Sequence, residues 1–287
     1  MPASRTVPLT RTFDGPACRL SARDWGGDGL PILLLHGMSG NTHWWDEVAP
    51  RLPGLRPIAL DLRGHGESGW ARDLADYRIE SFPDDVEAAR REFGLSDFAI
   101  AAHSFGARVA LEYAAKRPAG LKRLAVLDFL CEVPPGGLDR FTRARAQMQP
   151  VYDDPELILD RFRFHPPGTL RSREDVREFG RHCVKRTEDG RWTWRFDWRA
   201  FTLRYLPVWP LLASIDVPVL VMRGERSTTM PREHWERFRA HLPQARAVEV
   251  PKAFHHLIVD LPGPCAQTLD AFFLGRSPSE PGGKLLE

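Results

Sequence analysis

Short, nearly uninterrupted apolar runs alternate with helix-patterned segments through the first half of the chain. Leu30–Leu35, Arg56–Asp61, Phe98–Ala102 and Leu124–Asp128 each read as a strand ending at a polar or glycine-rich turn. Runs without polar alternation have both faces covered, as in a parallel sheet. Between them, Asp84–Phe93 is patterned as a helix stopped by Gly94, and Phe105–Arg117 as a helix stopped by Pro118. Strand–helix–strand alternation predicts an α/β fold with a doubly wound, mostly parallel sheet.

The rhythm breaks near Cys131. From there to Leu212 no strand of this kind is expected, and the segment is rich in Arg, Pro and aromatic residues. It is patterned as several helices, among them Leu138–Gln149 and Ser172–Lys185. Trp192–Trp198 alternates aromatic and polar residues and suits either a short hairpin arm or a helix. Strands return at Val217–Met222 and Ala245–Val250, with helices over Pro231–His241 and Gly263–Phe273. The expected organisation is a core of residues 1–130 and 214–275, a helical cap over 131–213, and a disordered Ser-, Pro- and Gly-rich tail over 276–287.

Composition narrows the function classes. Lys and Arg number 40 against 38 Asp and Glu, so no global field recruits nucleic acid or anionic lipid. The apolar runs, Ile32–Leu35 among them, are too short to cross a bilayer. Cys18, Cys131, Cys183 and Cys265 have neither metal-ligand nor redox spacing. A cytoplasmic protein with free thiols and no membrane or nucleic-acid partner is expected. His65, His103, His165 and His182 show no ligand spacing, so neither a metal nor a cofactor is expected.

The chemistry concentrates at Ala102-His103-Ser104-Phe105-Gly106, where a predicted strand meets a predicted helix. A sharp turn there strains its central residue and exposes the side chain above the sheet. Residues two before and two after must be small, a need that Gly106 meets and Ala102 nearly meets. The helix N-terminus favours developing negative charge. The same position also suits an ordinary serine cap of the Phe105 helix.

Ala102–Gly106 resembles the Gly-x-Ser-x-Gly signature of the α/β-hydrolase superfamily, with Ala102 in place of the first glycine. His36-Gly37-Met38 resembles the superfamily's oxyanion loop, and Asp61-Leu62-Arg63-Gly64-His65-Gly66-Glu67-Ser68 its Asp-x-Arg-Gly-His-Gly-x-Ser loop. The likeness covers roughly residues 17 to 273. It implies Ser104 as nucleophile, with the N–H groups of Met38 and Phe105 as oxyanion donors. Aligned on Asp260-x-Pro262, it implies His255 rather than His256 as the base. Gly64–Gly69 also fits G-x-G-x-x-G, but a dinucleotide site needs those glycines to open a helix, and no helical stripe follows.

The acid is less direct. The position that many superfamily members give a carboxylate is Ser227 here. Asp128, at the end of the strand before the insertion, is the preferred acid, with Glu225 and then Glu132 as alternatives. The resemblance implies a serine hydrolase that cleaves a carboxylic ester of a medium-sized hydrophobic substrate through an acyl-enzyme. Thioester, lactone or carbon–carbon bond hydrolysis and a non-catalytic ligand receptor are the alternatives. Met38, Phe105 and Trp44 or Trp45 are candidate pocket residues.

Overall fold

A computed structural model of the chain describes residues 7–133, 148–202 and 206–276. Its centre is an eight-stranded sheet of β1 (Leu9–Asp14), β2 (Arg19–Asp24), β3 (Leu30–Leu35), β4 (Leu55–Asp61), β5 (Phe98–His103), β6 (Leu121–Leu127), β10 (Val219–Gly224) and β11 (Arg246–Val250). The spatial order is β1-β2-β4-β3-β5-β6-β10-β11. All neighbours from β4 to β11 are parallel, whereas β1 and β2 join antiparallel at one edge.

The period-two geometry of a strand explains why the apolar runs are continuous. Leu33, Leu35, Ile100, Ala102 and Val126 face one core, with helices α1 (Pro83–Glu92) and α2 (Phe105–Ala115) packed on it. Ile32, Leu34, Ala99, Ala101 and Leu127 face a second core on the opposite side of the sheet. Both faces are covered, so every position must be apolar. β1 and β2 escaped the sequence reading for the converse reason. In the outermost strand, β1, only Phe13 is buried, and its polar alternation carries no continuous apolar run.

The segment between β6 and β10 contains helices α3 (Pro155–Arg161) and α4 (Arg173–Gly180), as expected of this stretch. It also contains a three-stranded antiparallel sheet, of which the sequence reading offered only the Trp192 arm as one of two alternatives. β7 (Val151–Tyr152), β8 (Val184–Arg186) and β9 (Trp192–Trp194) order as β7-β9-β8. The helix expected to reach Lys185 therefore ends near residue 180, and the Trp192 segment is a hairpin arm. These strands are two or three residues long, too short for a periodicity to register. Positions 138–147 of the expected Leu138–Gln149 helix, and residues 277–287 of the expected tail, lie outside the described residues.

A short helix, α5 (Trp209–Leu212), leads back to β10, and α6 (Arg232–His241), α7 (Leu257–Asp260) and α8 (Pro262–Phe273) complete the chain. No described helix is long and apolar enough to cross a membrane. The insertion docks on the Asp61–Ser68 loop. His65 bridges to Phe196, Gly66 N–H donates to Arg195 O at 3.0 Å, and Asp197 N–H donates to Gly64 O at 2.8 Å.

Candidate active site

The site gathers at the carboxyl ends of the parallel strands, where open α/β sheets bind ligands. β5 ends at His103, Ser104 takes φ 55° and ψ −117°, and α2 begins at Phe105. A non-glycine residue held there carries about 1–3 kcal/mol of strain, sustained only where the surroundings overdetermine it. They do: Ser104 N–H donates to Leu127 O and Gly106 N–H to His36 O, each at 3.0 Å. A Cβ on Gly106 would sit 2.6 Å from His36 O, and one on Gly37 would sit 3.1 Å from Ser104 Cβ. Ala102 is fully buried and accommodated.

The Ser104 side chain makes no cap hydrogen bond to α2. Its Oγ instead lies 2.9 Å from His255 Nε2, and His255 Nδ1 lies 2.7 Å from Asp128 Oδ1. Asp128, at φ 40°, and His255 are both buried. The Asp128 carboxylate also accepts from Gly224 N–H at 2.7 Å and from Ser227 Oγ at 2.6 Å. Ser227, where a carboxylate was looked for, is thus a donor to the Asp128 carboxylate. The alternatives lie elsewhere: exposed Glu225 accepts from Lys252 N–H at 2.7 Å, and Glu132 accepts from Trp209 Nε1 at 2.7 Å.

Phe105, the first residue of α2, has a main-chain N–H with no hydrogen-bond partner among the described residues, and the same holds for Met38. His36 ties this loop to the next. Its Nε2 accepts from Leu62 N–H at 3.2 Å, so its Nδ1 is the N–H that donates to Gly37 O at 2.8 Å. Asp61 accepts from the N–H groups of Thr42 at 2.7 Å and Glu67 at 3.0 Å. Arg63 pairs with buried Asp85 at 2.6 Å and donates to the carbonyls of Asp76 and Ser81. The glycines of this loop open no helix; Gly64 N–H closes on Gly69 O at 2.9 Å.

Burial governs the titration of these groups. It pushes the Asp61 carboxyl up to about 7 and the His65 imidazole down to about 4. It also holds His36 well below the ordinary imidazole range, helped by the neighbouring His65. His103 and His256 are lowered in the same way by burial, with His255 as the next cause for both.

Sequence spacing concealed a histidine cluster. His103 Nε2 lies 2.9 Å from His255 O, and His256 Nε2 lies 3.1 Å from Pro166 O. Trp44 stacks on His103 and meets His256 edge-on, so it backs these rings, and Trp45 is fully buried. Beyond Trp44, toward α4, lies an open cavity of about 240 Å³ lined by His43, Phe164, Arg171, Phe179 and Val259. Ser104 and Met38 are both partly exposed.

Comparison with known proteins agrees with this architecture. Residues 31–262 match the model of a family described as alpha/beta hydrolase fold. The chain is similar to the Mycobacterium tuberculosis esterase Rv0045c, 26% identical over 77% of this chain and 74% of that protein. It is similar to lipase 1 of Psychrobacter immobilis, 26% identical over 85% and 77%. Among solved structures, E-2-(acetamidomethylene)succinate hydrolase superposes with a TM-score of 0.81 at 22% identity, over 93% of this chain and 99% of that one.

Proposed function

The chain belongs to the α/β-hydrolase fold family, and from that premise we propose that it is a serine hydrolase cleaving carboxylic esters of medium-sized hydrophobic acids or alcohols. The observation that carries the reading is the continuous hydrogen-bonded relay Ser104–His255–Asp128, at 2.9 and 2.7 Å. Ser104 Oγ attacks the acyl carbonyl as His255 Nε2 takes its proton. Asp128 holds the Nδ1–H tautomer and stabilises the imidazolium. The oxyanion is received by the N–H groups of Met38 and Phe105. Collapse releases the alcohol, protonated by His255, and water then hydrolyses the acyl-Ser104 ester by the same steps.

No metal or cofactor enters this sequence of steps. The relatives named esterase and lipase support the ester class. The same machinery serves thioesters, lactones and carbon–carbon bonds. The described residues of the 131–213 insertion are read as the cap over the site, with partly exposed Met38 as apolar wall, whereas Phe105, expected beside it, is buried in the core against Phe82. Four unpaired thiols suit a reducing cytoplasm.

A fluorophosphonate probe tests the reading. Wild-type protein should be labelled and Ser104→Ala should not, with turnover of p-nitrophenyl esters rising to an optimum at intermediate chain length. Folded wild-type protein that resists labelling and leaves every ester, thioester and lactone intact refutes it.

A further inference from the structure

One nitrogen from each of His103, His255 and His256 lies within 4.8 Å of the other two, and all three residues are buried. Hydrogen-bond partners assign the tautomers. His103 Nε2 and His256 Nε2 each face a main-chain carbonyl, which can only accept, so both carry the proton. Their Nδ1 atoms are therefore bare lone pairs, and both are buried without a partner. A buried acceptor left unmatched calls for an explanation, such as a ligand. The third ring, His255, directs Nδ1–H at Asp128, leaving its Nε2 lone pair for the Ser104 hydroxyl.

We propose that His103, His255 and His256 form a binding site for a divalent transition cation such as Zn²⁺ or Co²⁺, which competes with Ser104 for His255. The competition rests on the reading of Ser104 and His255 given above; the binding does not. Imidazole nitrogens select borderline ions over Mg²⁺ or Ca²⁺. Zinc–nitrogen bonds of 2.0–2.1 Å bring tetrahedral ligands to roughly 3.4 Å of one another, within the 4.8 Å spread of this cluster. Water or Ser104 Oγ completes the shell.

A second group, His43, Asp46 and His182, is less suited. The His43 and His182 rings stack at 3.9 Å and 14°, so their lone pairs run side by side rather than converge. Asp46 is already engaged by Arg23 and by His43 Nδ1.

The test titrates Co²⁺ and Zn²⁺ into the full chain, reading the visible cobalt absorption and the equilibrium stoichiometry. One ion per chain is expected, with affinity falling at least about tenfold in His256→Gln and little changed in His182→Gln. Loss of binding in His182→Gln instead, or no cobalt spectrum at all, overturns the site. Zn²⁺ should also slow fluorophosphonate labelling of wild type, with reversal by a chelator and no effect of Mg²⁺. Unchanged labelling with zinc bound overturns the competition. Absence of labelling without any metal strikes the hydrolase reading instead, and the cobalt titration still decides the site.

Discussion

Ser227 donates its hydroxyl to Asp128 Oδ1 at 2.6 Å, the same oxygen that lies 2.7 Å from His255 Nδ1. Two strand ends meet there, β6 supplying the carboxylate and the turn after β10 supplying the hydroxyl and the Gly224 N–H. Asp128→Asn should lower kcat about 10⁴-fold while the protein stays folded, because the amide presents the wrong partner to His255. Ser227→Ala removes one hydrogen bond to a charged acceptor and should cost about tenfold in kcat/KM. Adding Ser227→Asp to Asp128→Asn should recover activity, since the new carboxylate arises one hydrogen bond away. Steady-state kinetics decide: an active Asp128→Asn beside an inactive Glu225→Gln moves the acid to Glu225.

His103 holds the main chain of His255 through Nε2–H to His255 O at 2.9 Å. We expect it to act as a positioning residue. His103→Leu should lower kcat by about ten- to a hundredfold with KM little changed, the effect of misplacing a reacting group by an ångström or less. His103→Gln can place an amide N–H at the same carbonyl and should restore most of the loss. Equal defects in the two variants argue for a packing role alone.

His65 links stability to pH. Its pKa falls from 6.5 to about 4, chiefly through burial. Between those values the unfolded chain takes a proton that the folded chain refuses. The contribution is therefore complete above pH 6.5 and is lost as pH falls toward 4, amounting to about 3 kcal/mol. Asp61 has the opposite sign: its carboxyl, raised to about 7, keeps its proton longer in the folded state, so its contribution declines as pH rises toward 7. The comparison of wild type with His65→Asn isolates one term, because Asn retains a donor for Arg63 O. Urea unfolding should show wild type losing more stability than His65→Asn between pH 7 and about pH 4, by up to about 3 kcal/mol. Parallel profiles would contradict the assignment.

Tyr77 fastens the insertion to the core. Its hydroxyl donates to buried Asp197 at 2.6 Å and accepts from Ala71 N–H at 3.0 Å. Tyr77→Phe leaves the Ala71 N–H without a partner and removes one donor from Asp197 Oδ2, which keeps Arg199, at about 1–3 kcal/mol. Calorimetry should find Tm lower by several degrees, and an unchanged Tm would mean that water replaces the hydroxyl at no cost.

What the sequence determined by itself is what has a local cause. Continuous apolar runs announce strands covered on both faces, and the small residues around Ser104 announce a turn too tight for side chains. The His255 loop was legible from its Asp260-x-Pro262 neighbourhood, through a resemblance rather than from spacing. The polar strands β1 and β2 and the two- and three-residue strands of the insertion carry no such signal. Their pairing depends on partners elsewhere in the chain. Only the tertiary structure decided which carboxylate meets His255 and gave Ser227 its role as donor, and only it gathered His103, His255 and His256. The contacts concerned join positions 127, 99 and 152 residues apart. A hydrogen bond needs its two atoms within about 3 Å, and no pattern along the chain records that distance.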